Sequence, residues 1–154
     1  MPFFRLPTAM ALAGIVFAGI AATVIAQDAV DPAIANMSPE QLVTARQNAM
    51  REDGGILRTL GRGTPAETAA AAEVLIKNFT DLQAMFPEGS IVGDSESLPV
   101  IWEEKDAFNA MFQQSADHAA AIKAAAEAGD AAAVAAGAQA IGALCSQCHQ
   151  KYRA

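Results

Sequence analysis

The sequence is poor in most of what other protein classes depend on. It has two cysteines in 154 residues, too few for a small disulfide scaffold. Aromatic residues make up 6% although hydrophobic residues reach 53%. The apolar content is therefore carried by alanine, which favours helix and argues against a sandwich or barrel of β-strands. Basic residues are scarce: 10 Lys and Arg stand against 17 Asp and Glu, a formal net charge of −7. That balance excludes a nucleic-acid partner, which needs a basic face for phosphates. No window alternates apolar and polar with period two, and the length admits a single domain.

What is present begins with residues 1–26, MPFFRLPTAMALAGIVFAGIAATVIA, in which Arg5 is the only charge. One positive residue, an apolar run from Ala9 to Ile25 and small residues before Ala26 read as a cleaved secretory signal. An uncleaved membrane anchor is the alternative, but the run of about 17 residues is short for a bilayer and rich in Ala and Gly. Residues 27–37 lack periodicity and read as a lead-in, with residues 38–154 as the folded domain. No stable membrane insertion is expected after cleavage.

Ser38-Pro39-Glu40-Gln41 opens a first helix, with a serine cap, a first-turn proline and a glutamine placed for a capping box. Leu42, Ala45, Ala49, Met50, Ile56, Leu57 and Leu60 draw its apolar face, and Gly61-Arg62-Gly63 stops it. Thr64-Pro65-Ala66-Glu67 opens a second helix in the same way, predicted to run to Phe86 before Pro87. Residues 87–98 read as the one long loop. A third helix is predicted from near Pro99 to about Ala128, with Trp102, Phe108, Met111 or Phe112, Ser115, Ala119 and Ile122 on its face. Gly129 ends it, and Asp130 caps a fourth that runs through Val134, Ala138, Ile141, Leu144, Cys145 and Cys148. Four helices with short turns make an all-α, antiparallel four-helix bundle. With so little aromatic volume, something else is needed to fill its centre.

Cys145-Ser146-Gln147-Cys148-His149 is C-x-x-C-H, the attachment signal for c-type haem. Two thiols add across the porphyrin vinyl groups, and the adjacent imidazole binds iron. At about 100° per residue, Cys148 lies near 300° and His149 near 40° from Cys145, so one helical face holds all three. Three other uses of these residues compete. A zinc site wants four ligands, and only two Cys and two His exist, with His118 poorly placed to join. A redox dithiol would follow a strand at a helix start. A disulfide would have to close between i and i+3 in a helix. Export favours haem c, which is attached outside the bacterial cytoplasm.

The C-terminal Cys145-Ser146-Gln147-Cys148-His149-Gln150-Lys151-Tyr152-Arg153, together with Arg46-Gln47-x-x-Met50 and Trp102, resembles the class II cytochromes c, the cytochrome c′ family. The resemblance spans Ser38–Ala154. It implies one covalently attached haem c, with Cys145 and Cys148 as thioether sites and His149 as proximal iron ligand. Arg46 and Gln47 would approach the propionates, Arg153 would lie near the proximal side, and Ser90 would stand near a propionate in place of the threonine of a common Gly-Thr-Glu pattern whose glutamate has no counterpart here. Met50 would face the sixth coordination position. In high-spin members that residue only packs over the iron, and the haem binds nitric oxide or carbon monoxide. In low-spin members a methionine ligates iron, and the protein transfers single electrons. Met50-Arg51-Glu52-Asp53-Gly54-Gly55 and Met85-Phe86-Pro87 resemble the low-spin branch, so periplasmic electron transfer is the leading expectation and gas binding the alternative. No distal His or Arg/His pair supports an enzyme such as a peroxidase. The acidic surface anticipates small redox partners with a basic docking face, and the family's habit of pairing through its first two helices makes a homodimer a further expectation.

Overall fold

The structure, a computed structural model, describes residues 29–154. The leader expected at 1–26 lies outside the described residues. The described chain is helical: α1 Pro39–Thr59, α2 Pro65–Leu82, α3 Val100–Glu103, α4 Lys105–Glu127 and α5 Ala131–Tyr152. It contains no β-strand, only an isolated bridge between Ser97 and Arg153.

Both capping boxes form as expected. Ser38 Oγ accepts from Gln41 N while Gln41 Oε1 accepts from Ser38 N, and Thr64 pairs with Glu67 in the same way. Asp130 caps α5 by accepting from Ala133 N, and Gly129, at φ 74°, makes the left-handed turn before it. Three boundaries differ from expectation. The lead-in is ordered from Pro32 to Asn36 as a 3-10 helix capped by Asp31, and it buries Ile34 in the core. The second helix stops at Leu82, because the amides of Ala84 and Met85 bond back three residues to Asp81 and Leu82 and tighten the chain ahead of Pro87. The third helix is broken at Glu104, at φ −120°, into α3 and α4. There the Glu104 carboxylate leaves the helix to accept from Tyr152 Oη at 2.9 Å and to pair with Lys151.

Packing explains the alanine. Ala69, Ala72, Ala116, Ala119 and Ala126 are buried, which lets α2 and α4 lie close along their length. Alpha5 packs on α4 through Gly137, where a Cβ would come 2.5 Å from Ile122 Cγ1. Aromatic volume collects at one end: Phe86, Phe108, Phe112 and Tyr152 form a chain of edge-on and stacked rings with centroids 4.9–6.0 Å apart. Trp102 is half-buried, with Nε1 donating to Phe86 O at 3.4 Å, and the buried residue of α3 is Ile101. Alpha1 packs on α2 but scarcely meets α4 or α5. Its buried residues are Leu42, Val43, Arg46 and Asp53, while Ala49, Met50, Ile56 and Leu57 are only half-buried. An apolar face is thus built and left partly uncovered on the side toward α5.

Candidate functional site

Between α1 and the end of α5 lies a cleft with two chambers. The larger, about 510 Å³, is lined by Arg46, Gln47, Met50 and Arg51 from α1, the loop residues 94–97, Phe86, Phe108, Cys148, His149, Tyr152 and Arg153. The smaller, about 180 Å³, is apolar: Leu57, Phe79, Leu82, Met111 and Phe112 line it beside Met50, Asp53, Cys145, Cys148 and His149. Met50, Cys148 and His149 border both. The volume of the larger chamber falls in the range of small-molecule and cofactor sites.

The C-x-x-C-H residues occupy the last turns of α5, so the helical register sets both thiols on one face, half-buried, with His149 beside them. Burial raises the Cys145 thiol and pushes Cys148 up to about 11, so both are neutral before any bond is made. His149 is lowered, by desolvation first and then by the nearby Arg153 charge, which favours the neutral imidazole that a metal requires. Among the described residues, no group of three or more His, Cys, Asp or Glu could hold a metal, both cysteines are free, and no strand leads into α5. His118 borders neither chamber.

The basic residues divide in a way the sequence did not show. Arg46, 2% exposed, lines the larger chamber, yet its guanidinium is committed to the loop. Nη1 donates to Met85 O at 3.0 Å and Ser90 Oγ at 3.2 Å, and Nη2 to Ser90 O at 2.9 Å and Ser95 Oγ at 2.7 Å. The same group sits 4.5 Å above the Phe86 ring. Ser90 is buried against Arg46 and lines neither chamber; Asp94, Ser95, Glu96 and Ser97 form the rim instead. Gln47 lines the larger chamber, its Nε2 only 3.5 Å from Asp94 O. Arg153 also lines it, ion-paired with Glu96, and the C-terminus is pinned there by Leu98 N donating to Tyr152 O and Ala154 N to Glu96 O. Arg51 is a further cation on this wall that sequence reasoning missed.

Asp53 was also missed. It is 4% exposed and borders the apolar chamber. Its signal lay in the sequence as an acid three residues after Met50 and four before Leu57, on the apolar stripe. Oδ1 accepts from Asn78 Nδ2 at 2.8 Å, and Oδ2 is buried with no partner. Desolvation, opposed by the Asn78 bond and reinforced by Glu52, pushes its pKa up to about 7.

The cleft has C-x-x-C-H on one wall and a methionine on the other. A family model described as Cytochrome C′ matches residues 41–153. The chain belongs to the cytochrome c′ family. The cytochrome c′ of Rhodospirillum rubrum is 33% identical over 138 residues, 89% of this chain and 92% of that protein. A nitric oxide complex of a mutant of cytochrome c prime from Alcaligenes xylosoxidans superposes with a TM-score of 0.66 at 30% identity, covering 75% of this chain and 95% of that one. A cytochrome c′ structure described as showing ligand-controlled dimer dissociation gives a TM-score of 0.67 at 26% identity, covering 77% and 98%. The fold is therefore the four-helix bundle of this family, and the cofactor is one covalently attached haem c. The cleft fits it, with a half-covered apolar wall, paired thiols on one helical face and cations at one rim. The low-spin character expected from Met50 and Met85-Phe86-Pro87 draws no support from these matches.

Proposed function

We propose that this cytochrome binds a small diatomic gas, nitric oxide or carbon monoxide, on the Met50 side of its haem. Cys145 and Cys148 would form the thioethers and His149 would supply the proximal nitrogen. When bound, the haem iron supplies an open coordination position for such a ligand. The observation that carries this reading is the apolar chamber of about 180 Å³ beside Met50, whose lining includes Leu57, Phe79, Leu82, Met111 and Phe112 and no imidazole other than His149. With a haem seated on Cys145, Cys148 and His149, the apolar side chains left facing it would suit a small uncharged ligand. The nitric oxide complex known for a relative of the same fold supports it. Met50 would pack beside that position, and Arg51, on the wall of the larger chamber, would offset the haem carboxylates.

A second reading is favoured by the Met50 side chain itself, which borders both chambers together with His149. If its thioether binds iron, the protein carries single electrons, with a potential raised by His/Met ligation. The partner would then be a small redox protein with a basic docking face, met at salt-sensitive rates. In either reading the N-terminal leader read from the sequence would carry the protein to the periplasm, its haem would bind or carry rather than catalyse, and a homodimer of the kind named for a structural relative is expected.

The absorption spectrum of the reduced protein tests this. A broad high-spin spectrum that changes on adding carbon monoxide is expected, with Met50→Ala leaving the spin state unchanged. A sharp low-spin band that ignores carbon monoxide until Met50 is replaced overturns gas binding in favour of electron transfer.

A further inference from the structure

Only one oxygen of the buried Asp53 carboxyl is used by the fold. Of the polar side chains bordering the apolar chamber, Ser115 is satisfied, with Oγ donating to Met111 O at 2.9 Å. Asp53 is half-satisfied. Asn78, itself shared with Glu52 at 3.0 Å, bonds only Oδ1 and so fixes the carboxyl's orientation, while Oδ2 stays buried without a partner. An unmade hydrogen bond of this kind costs about 1–3 kcal/mol, and a native protein that keeps one generally has a use for it. Asp53 stands one helical turn beyond Met50 on the same face of α1, and it borders the chamber that Cys145, Cys148 and His149 close from α5.

We propose that Asp53 is the polar contact of the gas-binding chamber, its carboxyl donating a hydrogen bond to the outer atom of a small ligand held beside Met50. The inference rests on the gas-binding reading and adds a selectivity to it. A chamber that is otherwise apolar would favour ligands able to accept a proton, over equally small ones that cannot. Burial supports the donor role, because it keeps most of the carboxyl neutral below neutral pH. The charged or titratable groups around it are Glu52 on its own helix and Cys145, Cys148 and His149 on α5; the neighbour from α2, Asn78, and that from α4, Ser115, are neutral.

The test is the C–O stretching band of the carbon monoxide complex of the reduced, haem-loaded protein, at pH 6. Wild type and Asp53→Asn, whose amide still donates, should show a lower frequency than Asp53→Leu. Release of carbon monoxide should be faster in Asp53→Leu, on the order of 3-fold. Exchange of the wild-type complex into heavy water should shift the band, a reading that needs no variant to fold. One frequency for all three proteins, with no heavy-water shift, overturns the proposal. Should the wild type refuse carbon monoxide, gas binding falls on its own. The same comparison is then made in a Met50→Ala background, where the face is open and the role of Asp53 is still decided.

Discussion

Arg46 makes a sharp prediction because its obligations can be counted. It is buried in α1 and donates four hydrogen bonds to Met85, Ser90 and Ser95, holding the 87–98 loop against the helix while its guanidinium covers Phe86. Burial pulls its pKa down, but a guanidinium stays charged at any working pH. Arg46→Ala removes the donors and strands acceptors in the interior. A hydrogen bond from a charged group is worth about 1.5–3 kcal/mol, a partly desolvated cation–π contact about 1 kcal/mol, and bonds sharing one fork are not additive. The expected loss is about 4 kcal/mol, a large share of the roughly 5–15 kcal/mol of a small domain. With a urea slope of about 2 kcal/mol per molar, the midpoint should fall by about 2 M. Arg46→Lys keeps the charge but not the fork, and should recover less than half. The assay is urea unfolding of the haem-loaded protein followed by helical circular dichroism, with Gln47→Ala as a control expected to shift little. A loss under about 1 kcal/mol for Arg46→Ala would refute the loop clamp. It would return Arg46 to the role of propionate partner, where its effect should appear in the reduction potential instead.

Gly137→Ala should destabilise by about 1–2 kcal/mol despite alanine's better helix propensity, since the new Cβ meets the fully buried Ile122 side chain at 2.5 Å; thermal unfolding reads this. Asp53 ionises near 3.8 when unfolded and at about 7 when folded, so between those values the unfolded chain has lost a proton that the native one keeps. Stability should therefore fall as pH rises through that window, and Asp53→Asn should gain a growing advantage, nearly absent at pH 4 and a few kcal/mol by pH 8, in urea unfolding. Replacing both Cys145 and Cys148 with Ala should leave a haem that acidified organic solvent extracts, whereas the wild-type haem stays with the chain on a denaturing gel.

Much of the architecture was legible because it depends on local rules. The capping boxes at Ser38 and Thr64, the Asp130 cap and the Gly129 stop are set by residues within four positions of one another. The three boundary errors came from distant partners: Ile34 finding the core, Met85 and Phe86 leaving the helix to meet Arg46 and Lys105, and Glu104 drawn out by Tyr152 and Lys151. The cleft divided likewise. Cys145, Cys148 and His149 share a face by helical register alone, so their grouping was readable from spacing. The side chains of Arg46, Ser90, Ser95 and Glu96 bond distant partners 39–57 residues away.

The sequence by itself thus determined that the chain is helical, where three of its helices start, and that one carries a haem-attachment face, since turn chemistry and a 3.6-residue period act over short range. Only the tertiary structure decided which polar groups the interior uses. Arg46 became a loop clamp and Asp53 a buried acid beside Met50 because α1 packs on α2 and stands off α5. Whether an acid on an apolar stripe is solvated or stranded depends on what the rest of the fold brings to cover it.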